Sequence, residues 1–286
     1  MILSSTLQAA SALQAASAPA GTLSGAGWDG LEPTTLAFII VGGLLAGWVD
    51  AVVGGGGLIQ LPIMLLVPGI SPVQALATNK MGSVFGTATS TVTYARRVHP
   101  DLRTALPLAL CAAAASFGGA AVATLLPAEV FKPVIVAALI LVLCFTLAKK
   151  GSGLNTRLKH LGWRHYGLAC GIGVVIGFYD GLLGPGTGSF LVIALVGVLG
   201  YSFLDGSAKA KIANLATNLG ALALFAPTGH VLWGIGLILG ASNMVGGYLG
   251  SRMAVSKGSG FVRVVFVVVV VALILKLGSD LVIEWA

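Results

Sequence analysis

Two lysines of this chain interrupt long apolar stretches, and each begins a short polar stripe. The stripes share the spacing i, i+3, i+7 and recur at an offset of 131: Lys80, Ser83 and Thr87, then Lys211, Asn214 and Asn218. On a helix this spacing places three side chains on one face. A lysine inside a membrane span costs a few kcal/mol or more unless it faces a cavity or a partner. Two such stripes, facing each other, are able to hold one anion between them.

A second duplicated signal is a glycine cluster that interrupts an apolar run. We name these clusters the first break, residues 54–57, and the second break, residues 184–188. An aspartate precedes each break, Asp50 and Asp180, at an offset of 130. Unwound backbone survives in a membrane only when it is buried in protein or lines a cavity. The helix after each break directs its free N–H groups toward the glycines, which favours an anion. The alternative is close helix packing through small residues.

The two signals together define a predicted substrate site. Its members are Gly54, Gly55, Gly56, Gly57, Asn79, Lys80, Ser83, Gly184, Gly186, Thr187, Gly188, Ser189, Lys211, Asn214 and Asn218. Asp50 and Asp180 are predicted either to carry coupling protons or to cap the glycine turns and pair with the lysines. In that alternative the lysines neutralise the aspartates, or reach an interface, instead of binding an anion. All four histidines are expected at the interfaces, and neither a metal nor a cofactor is predicted.

The composition of the chain indicates whether it folds in water or in a lipid bilayer. Hydrophobic residues make up 57% of the 286 residues and charged residues only 9%, against about 25% charged residues in soluble domains. Apolar runs typical of membrane spans occur at 36–53, 104–126, 134–148 and 261–277. The net charge of +7 would suit nucleic acid, but the basic residues lie in short connections between these runs. We therefore predict an all-α polytopic membrane protein with no nucleic-acid partner. Since no nucleotide-binding, hydrolase or metalloprotease motif occurs, no enzyme activity is expected.

Turn residues divide the apolar sequence into five segments per half. They are residues 35–53, 58–69, 73–95, 103–126 and 130–148, then 165–183, 189–201, 205–227, 231–251 and 261–282. Four regions follow: a flexible lead-in at 1–33, a first transmembrane repeat at 34–148, a cytoplasmic linker at 149–164 and a second transmembrane repeat at 165–286. Segments 58–69 and 189–201 would be about 18 Å long as helices, shorter than an apolar core of about 30 Å. The prediction is therefore eight long helices and two short broken or re-entrant ones.

Charge counting predicts the orientation. If the amino terminus is outside and every segment crosses, the inner connections hold eleven basic residues and the outer ones only Lys132 and Lys276. This bias follows the positive-inside rule. Because five is an odd number, the second half then enters from the opposite side, and the two repeats are inverted. If only the two short segments were re-entrant, Arg96 and Arg97 would lie outside, so crossing is favoured.

The duplicated residues resemble the TauE/SafE sulfite exporter family, also called the toluene sulfonate uptake permease family. The similarity rests on residues 47–58, Leu61 and Pro62, 75–80 and 177–188. It covers about residues 35–282. The resemblance implies transport of small anions, typically sulfite or organosulfonates, across a bacterial inner membrane, without fixing the direction. Pro185 in the second break departs from the glycine pattern and makes the two halves chemically unequal.

Three classes of function compete for this pattern. We predict a secondary transporter of small sulfur-containing anions, such as sulfite, sulfoacetate or taurine-derived sulfonates, driven by an ion gradient or by the membrane potential. The alternative is a channel-like anion pore in which the unwound glycines form a fixed filter. A membrane scaffold would leave the intramembrane lysines unexplained. The expected partners are the anion, the lipid bilayer and, as one option, a second copy of the chain in a homodimer.

Both termini are predicted to face the periplasm, because the ten-crossing arrangement places the basic connections inside. Reporter fusions or cysteine labelling at residues 10 and 286 test this, and a reagent that cannot cross the membrane should reach both positions from outside. Finding either terminus in the cytoplasm would exclude the ten-crossing inverted arrangement.

Overall fold

The regular secondary structure of the described residues is entirely helical. The computed structural model of the chain describes residues 32–127 and 155–285. Its helices are α1 (Pro33–Val53), α2 (Gly57–Leu65), α3 (Pro72–Val98), α4 (Leu102–Leu125), α5 (Gly162–Leu182), α6 (Thr187–Ala194), α7 (Phe203–Phe225) and α8 (Trp233–Trp285). A π-helical turn (Leu195–Leu199) continues α6. Most of the predicted lead-in, and the predicted segment 130–148, lie outside the described residues.

The predicted segments within the described residues are helical. Two helices, α1 and α4, are long and apolar enough to cross a membrane, with a mean hydropathy of 2.2 and 1.8 over 18 residues. The short segments are short helices, since α2 has nine residues and α6 has eight. The boundary expected between 231–251 and 261–282 is a kink inside α8 and not a separate loop. It occurs because Gly258 alone adopts non-helical backbone angles there, with φ 74° and ψ −170°.

The caps of α3 and α7 place the two polar stripes at equivalent positions. Ser71 caps α3: its Oγ accepts from Gln74 N at 3.3 Å, and Gln74 Oε1 accepts from Ser71 N at 3.0 Å. This reciprocal capping box satisfies two N–H groups that the first turn leaves free. Ser202, the equivalent residue of the second half, caps α7 by accepting from Asp205 N at 3.1 Å. The lysine of each stripe follows its cap by nine residues, so both stripes begin at the same depth from a helix start.

Close helix packing interlocks the two halves of the chain. The helices α1 and α3 pack against α8, α5 and α7 pack against α4, and α3 contacts α7. Small residues permit this approach: a Cβ on Gly47 would lie 2.3 Å from Asn243 O, and one on Gly177 would lie 2.3 Å from Ala112 O. In lipid, where apolar burial drives little association, such backbone contact is a main source of helix pairing. The fourth helix of each half thus joins helices of the other half, and the stripes of α3 and α7 meet at the centre.

The two glycine breaks are in backbone contact. The helix α1 ends where Gly54 N donates to Asp50 O at 2.7 Å and Gly54 turns left-handed, with φ 80°. Ser189 N donates to Gly54 O at 3.0 Å, and Ser189 Oγ donates to Val53 O at 2.9 Å. A Cβ on Gly54 would lie 2.2 Å from the carbonyl carbon of Gly188. Carbonyl groups released at the end of α1 are therefore satisfied at the start of α6, as a membrane interior requires.

We expect Gly54→Ala to destabilise the protein far more than Gly69→Ala. Both glycines are left-handed, with φ 80° and 78°, so alanine costs about 1–2 kcal/mol at either position. Only at Gly54 would the new Cβ meet opposing backbone, whereas nothing lies within 4 Å at Gly69. The apparent melting temperature of the purified protein in detergent should fall by several degrees more for Gly54→Ala. Equal shifts in the two variants would contradict the contact between the breaks.

Candidate functional site

A small cavity, lined mostly by buried residues, lies between the two breaks. Its volume is about 20 Å³, which is room for about one water molecule. It is lined by Asp50, Gly54, Gly57, Asn79, Lys80, Ser83, Asp180, Gly184, Gly186, Thr187, Gly188, Asn214 and Asn218. All of these residues belong to the site predicted from the sequence, with its two aspartates. The structure thus brings together parts of both breaks and both stripes, in a conformation too tight for an oxyanion.

Each intramembrane lysine is paired with an aspartate from the other half of the chain. Lys80 Nζ on α3 lies 2.6 Å from Asp180 Oδ2 on α5, and Lys211 Nζ on α7 lies 2.8 Å from Asp50 Oδ2 on α1. Lys211 Nζ also donates to the backbone oxygen of Asp50. Neither α2 nor α6 has a side-chain cap hydrogen bond at its start. Of the two structural roles considered for the aspartates, this conformation therefore shows lysine pairing and not capping.

Burial makes the two partners of each pair depend on each other. The side chains of Lys80 and Lys211 are each 1% exposed. Taking an ion out of water costs several kcal/mol, and a partner offsets this cost only when the geometry is good. Removing one partner of such a pair costs about 3–5 kcal/mol, because the remaining charge is left buried and uncompensated. The lysines are therefore tolerated in their helices because the other half of the chain supplies a carboxylate.

The second pair is the better bonded of the two. Lys211 donates a hydrogen bond to the Asp50 carboxylate and another to the backbone oxygen of the same residue. Lys80 contacts Asp180 Oδ2 at 2.6 Å, a close ion pair, but without the added backbone oxygen that Lys211 has.

Asn79 carries an unsatisfied atom at the cavity. Its Oδ1 is buried and has no hydrogen-bond partner, whereas its backbone oxygen accepts from Gln60 Nε2 at 3.2 Å. Gln60 in turn accepts from Asn243 Nδ2 on α8. Buried side-chain polar atoms are paired in the large majority of cases, and the orientation of an amide is assigned from its hydrogen bonds. The Asn79 amide therefore offers the cavity an acceptor or, when its oxygen and nitrogen exchange places, a donor.

The amides that open the two short helices are only partly free for a ligand. We expected the starts of segments 58–69 and 189–201 to direct N–H groups at an anion. Leu58 N donates to Gly55 O at 3.1 Å, and Ser189 N donates to Gly54 O at 3.0 Å. These two amides stabilise the breaks themselves. The positive ends of α2 and α6 remain at the cavity wall through the glycines that line it.

Four predicted residues do not line the cavity, namely Gly55, Gly56, Ser189 and Lys211. Gly56 packs onto α1, since a Cβ there would lie 2.5 Å from Asp50 Cβ. A substitution such as Gly56→Val would therefore disrupt the first break itself, and it would not show whether an anion approaches the backbone at this position. Ser189 joins the two breaks, and Lys211 meets the cavity wall only through Asp50.

Three residues that sequence reasoning did not select support the site. Asn243 extends the amide network from α8, Tyr94 OH donates to Ala51 O at 3.0 Å, and Tyr179 OH donates to Pro185 O at 2.7 Å. Asn243 is a polar residue inside an apolar segment, and this signal was available in the sequence. The tyrosines carried no comparable signal, because their hydroxyl partners are backbone oxygens that only the folded chain brings near.

A further polar cluster lies at the basic ends of α4 and α5. His165 is 5% exposed, and its Nε2 lies 3.1 Å from Thr104 Oγ1 and 2.9 Å from Tyr201 OH. These contacts join the start of α5 to the start of α4 through the His165 side chain. Burial raises the pKa of Asp101, but hydrogen bonds from Thr104 and from Arg103 N outweigh it and lower the pKa below its ordinary value.

Comparison with known proteins identifies the family. A family model described as sulfite exporter TauE/SafE matches residues 39–277. The probable membrane transporter protein ORF9 of Sinorhizobium sp. is 38% identical over 245 residues, which cover 86% of this chain and 93% of that protein. The probable membrane transporter protein YfcA of Escherichia coli K12 is 32% identical over 252 residues, covering 87% and 92%. A probable membrane transporter protein of Haemophilus influenzae is 31% identical over 249 residues, covering 86% and 95%. No solved structure matches the chain.

The matched span contains both breaks, both stripes and both lysine–aspartate pairs. These relatives are named as membrane transporters, which are not a class of enzyme. The chain therefore belongs to the TauE/SafE family of membrane transporters.

Proposed function

We propose that this protein is a secondary transporter of small sulfur-containing anions, such as sulfite or organosulfonates, in a bacterial inner membrane. The observation that carries the proposal is the pair of reciprocal lysine–aspartate contacts at one small cavity. The family model and the names of the relatives support membrane transport, and the buried cations support an anionic substrate. Lys80, Lys211, Ser83, Asn79, Asn214, Asn218 and the lining glycines form the proposed substrate site.

The directions of the helices support an inverted repeat. Residue numbers rise together in the contacting pairs of α1 and α8: Gly43 lies against Leu239, and Trp48 lies against Gly250. The two helices therefore run in the same direction. Residue numbers also rise together in the contacting pairs of α4 and α5. The helix α5, which is the first of the second half, therefore runs in the same direction as α4.

The direction of α3 indicates whether α2 crosses the membrane or re-enters on the same side. Met81 lies against Gly236 and Phe85 against Gly240, so α3 runs in the same direction as α8, and hence as α1. The short helix α2 must return the chain between α1 and α3, which favours a crossing over a re-entrant loop. Because α4 turns back from α3 after three residues, α4 and α5 run opposite to α1. This is the inversion that a ten-segment arrangement with two periplasmic termini requires.

The backbones that carry the two lysines lie at different depths along α3. Thr91 Oγ1 donates to Lys211 O at 3.1 Å, and Thr91 lies eleven residues beyond Lys80 on α3, or about 16 Å along a helix. The backbone of Lys211 therefore lies toward the basic end of α3, and that of Lys80 toward the other end. We infer that each pair closes one side of the cavity, and that the pairs open alternately.

Anion binding is proposed to replace an aspartate on its lysine. The charge of the lysine stays neutralised throughout the exchange, first by the aspartate and then by the anion. The displaced aspartate then loses its partner in a low-dielectric region, where an unpaired carboxylate is costly and becomes neutral by binding a proton. Two lysines and two aspartates have no net charge, so one anion and one proton together leave the site neutral. Uptake of an anion is thereby coupled to uptake of a proton.

A channel-like pore with a glycine-backbone filter is the second candidate function. Such a filter needs backbone groups that face the permeating ion, whereas Gly54 O and Ser189 N bond to each other here. This pairing favours a transporter. Saturable uptake that is stimulated by unlabelled substrate on the opposite side would support the transporter, and unsaturable conductance would support the channel.

We expect Lys80→Met and Lys211→Met to reduce uptake of radiolabelled sulfonate into proteoliposomes by about tenfold or more, because the attracting charge is lost. The double variant Lys80→Met with Asp180→Asn removes a whole buried pair, a change that is often neutral for stability, and should also fail to transport. Lys257→Met is the matched control, since this exposed lysine stacks on Phe261 away from the cavity. Normal transport by the folded double variant would exclude the proposed role of Lys80.

Proton coupling is tested with an alkyl sulfonate, since this group binds no proton near neutral pH. With wild-type protein, sulfonate uptake should acidify the lumen of proteoliposomes loaded with a pH-sensitive dye. In Asp180→Asn, which cannot take up the proton, any remaining sulfonate uptake should proceed without acidification. Wild-type uptake that builds a membrane potential and leaves the lumen pH unchanged would contradict the coupling but not the anion site.

A further inference from the structure

A basic groove opens on the outer surface of the bundle between α3 and α8. We name it the arginine groove; its volume is about 520 Å³, and its charged lining residues are Arg96 and Arg97 of α3 and Arg252 of α8. No carboxylate is among the lining residues, and neither ion pair found in the described part of the chain includes an arginine. Among the described residues, three cations therefore share one groove without an acidic partner.

Arg252 is held in a defined orientation within the groove. Its Nη1 donates to Tyr248 OH at 2.8 Å, and its guanidinium carbon lies 5.4 Å from the centre of the Tyr248 ring. Stacking and one hydrogen bond use only part of the five N–H donors of a guanidinium. The remaining donors match the paired oxygens of a phosphate, which a planar guanidinium binds better than an ammonium does.

The wall of the groove next to the arginines is apolar. Ala88 and Val92 contribute hydrocarbon directly. The hydroxyl of Thr89 donates to Phe85 O at 2.8 Å, and that of Thr93 donates to Thr89 O at 2.9 Å. Because each hydroxyl uses its one donor within the helix, neither threonine has a donor left for an anionic ligand. The groove thus joins a cationic end to an apolar wall.

We propose that the arginine groove binds an anionic phospholipid. The phosphate would lie among the three arginines, and an acyl chain would follow the wall formed by Ala88 and Val92. The nearby surface suits this occupant, since Val245 and Leu249 of α8 are exposed apolar residues, as expected of a helix that faces lipid. A basic pocket between transmembrane helices is a recognised site for anionic headgroups. A dissolved anion would use the arginines alone and leave the apolar wall without a partner.

The proposed lipid would join the two helices that form the groove. The helix α3 carries Lys80 and Ser83, and α8 carries Asn243 of the amide network. A bound lipid would therefore strengthen α3–α8 packing without contact with the transport cavity. The proposal requires only that the protein lies in a membrane, and it is independent of the identity of the transported anion.

Lipid binding is measured on purified, delipidated protein by native mass spectrometry and by thermal shift in detergent. Phosphatidylglycerol should be retained and should raise the apparent melting temperature, whereas phosphatidylcholine should do neither. The triple variant Arg96→Gln, Arg97→Gln, Arg252→Gln should lose phosphatidylglycerol affinity by tenfold or more. The matched control Arg157→Gln, Arg164→Gln, Lys257→Gln removes three exposed charges outside the groove and should bind like the wild type. Lys80→Met should also bind lipid normally.

Three outcomes would overturn the proposal. Equal loss of affinity in the groove variant and the matched control would show a general electrostatic effect of the basic surface. Unchanged affinity in a folded groove variant would place the lipid elsewhere. Competition by glycerol phosphate or inorganic phosphate at the concentration at which the lipid binds would show a site for dissolved anions.

Discussion

The interior of a membrane cannot leave a charge without a partner, and the architecture of this protein follows from that constraint. Lys80 and Lys211 are almost fully buried, and each finds its carboxylate in the opposite half of the chain. An arrangement that moved the halves apart would leave four buried charges uncompensated, at several kcal/mol each. The two pairs therefore make each half necessary to the other, and they place the polar cavity at the junction where the halves meet.

The same constraint acts on the backbone. A glycine break frees peptide groups that lipid cannot solvate, so the two breaks hydrogen-bond to each other through Gly54 and Ser189. Contact at this distance is possible only because neither Gly54 nor Gly188 has a side chain. Similar backbone contacts hold α1 to α8 and α4 to α5. The many small residues of the chain are thus a requirement of packing as well as of the site.

A site built from paired charges has consequences for transport. Lysines fully exposed to a cavity would bind an anion strongly and release it slowly, whereas lysines that already hold a carboxylate exchange one partner for another. In the proposed mechanism this exchange would involve a small net change in energy, which would suit a transporter that must release its substrate on the other side. The unpaired oxygen of Asn79 lies at the same cavity.

The sequence alone predicted the membrane setting, the helices of the described residues and most members of the cavity. Apolar length, turn residues and the duplicated spacing of Lys80 and Lys211 are local properties, and they predicted the helices and most of the residues that meet at the breaks. Tertiary structure alone decided which aspartate each lysine binds, because the partners lie in opposite halves of the chain and local spacing carries no information about that choice. It also decided that Ser189 and Gly56 serve the breaks and not the cavity, and that His165 is buried, because its ring lies between Thr104 and Tyr201. These assignments depend on which helix faces which neighbour, and only close packing of the complete bundle selects that arrangement.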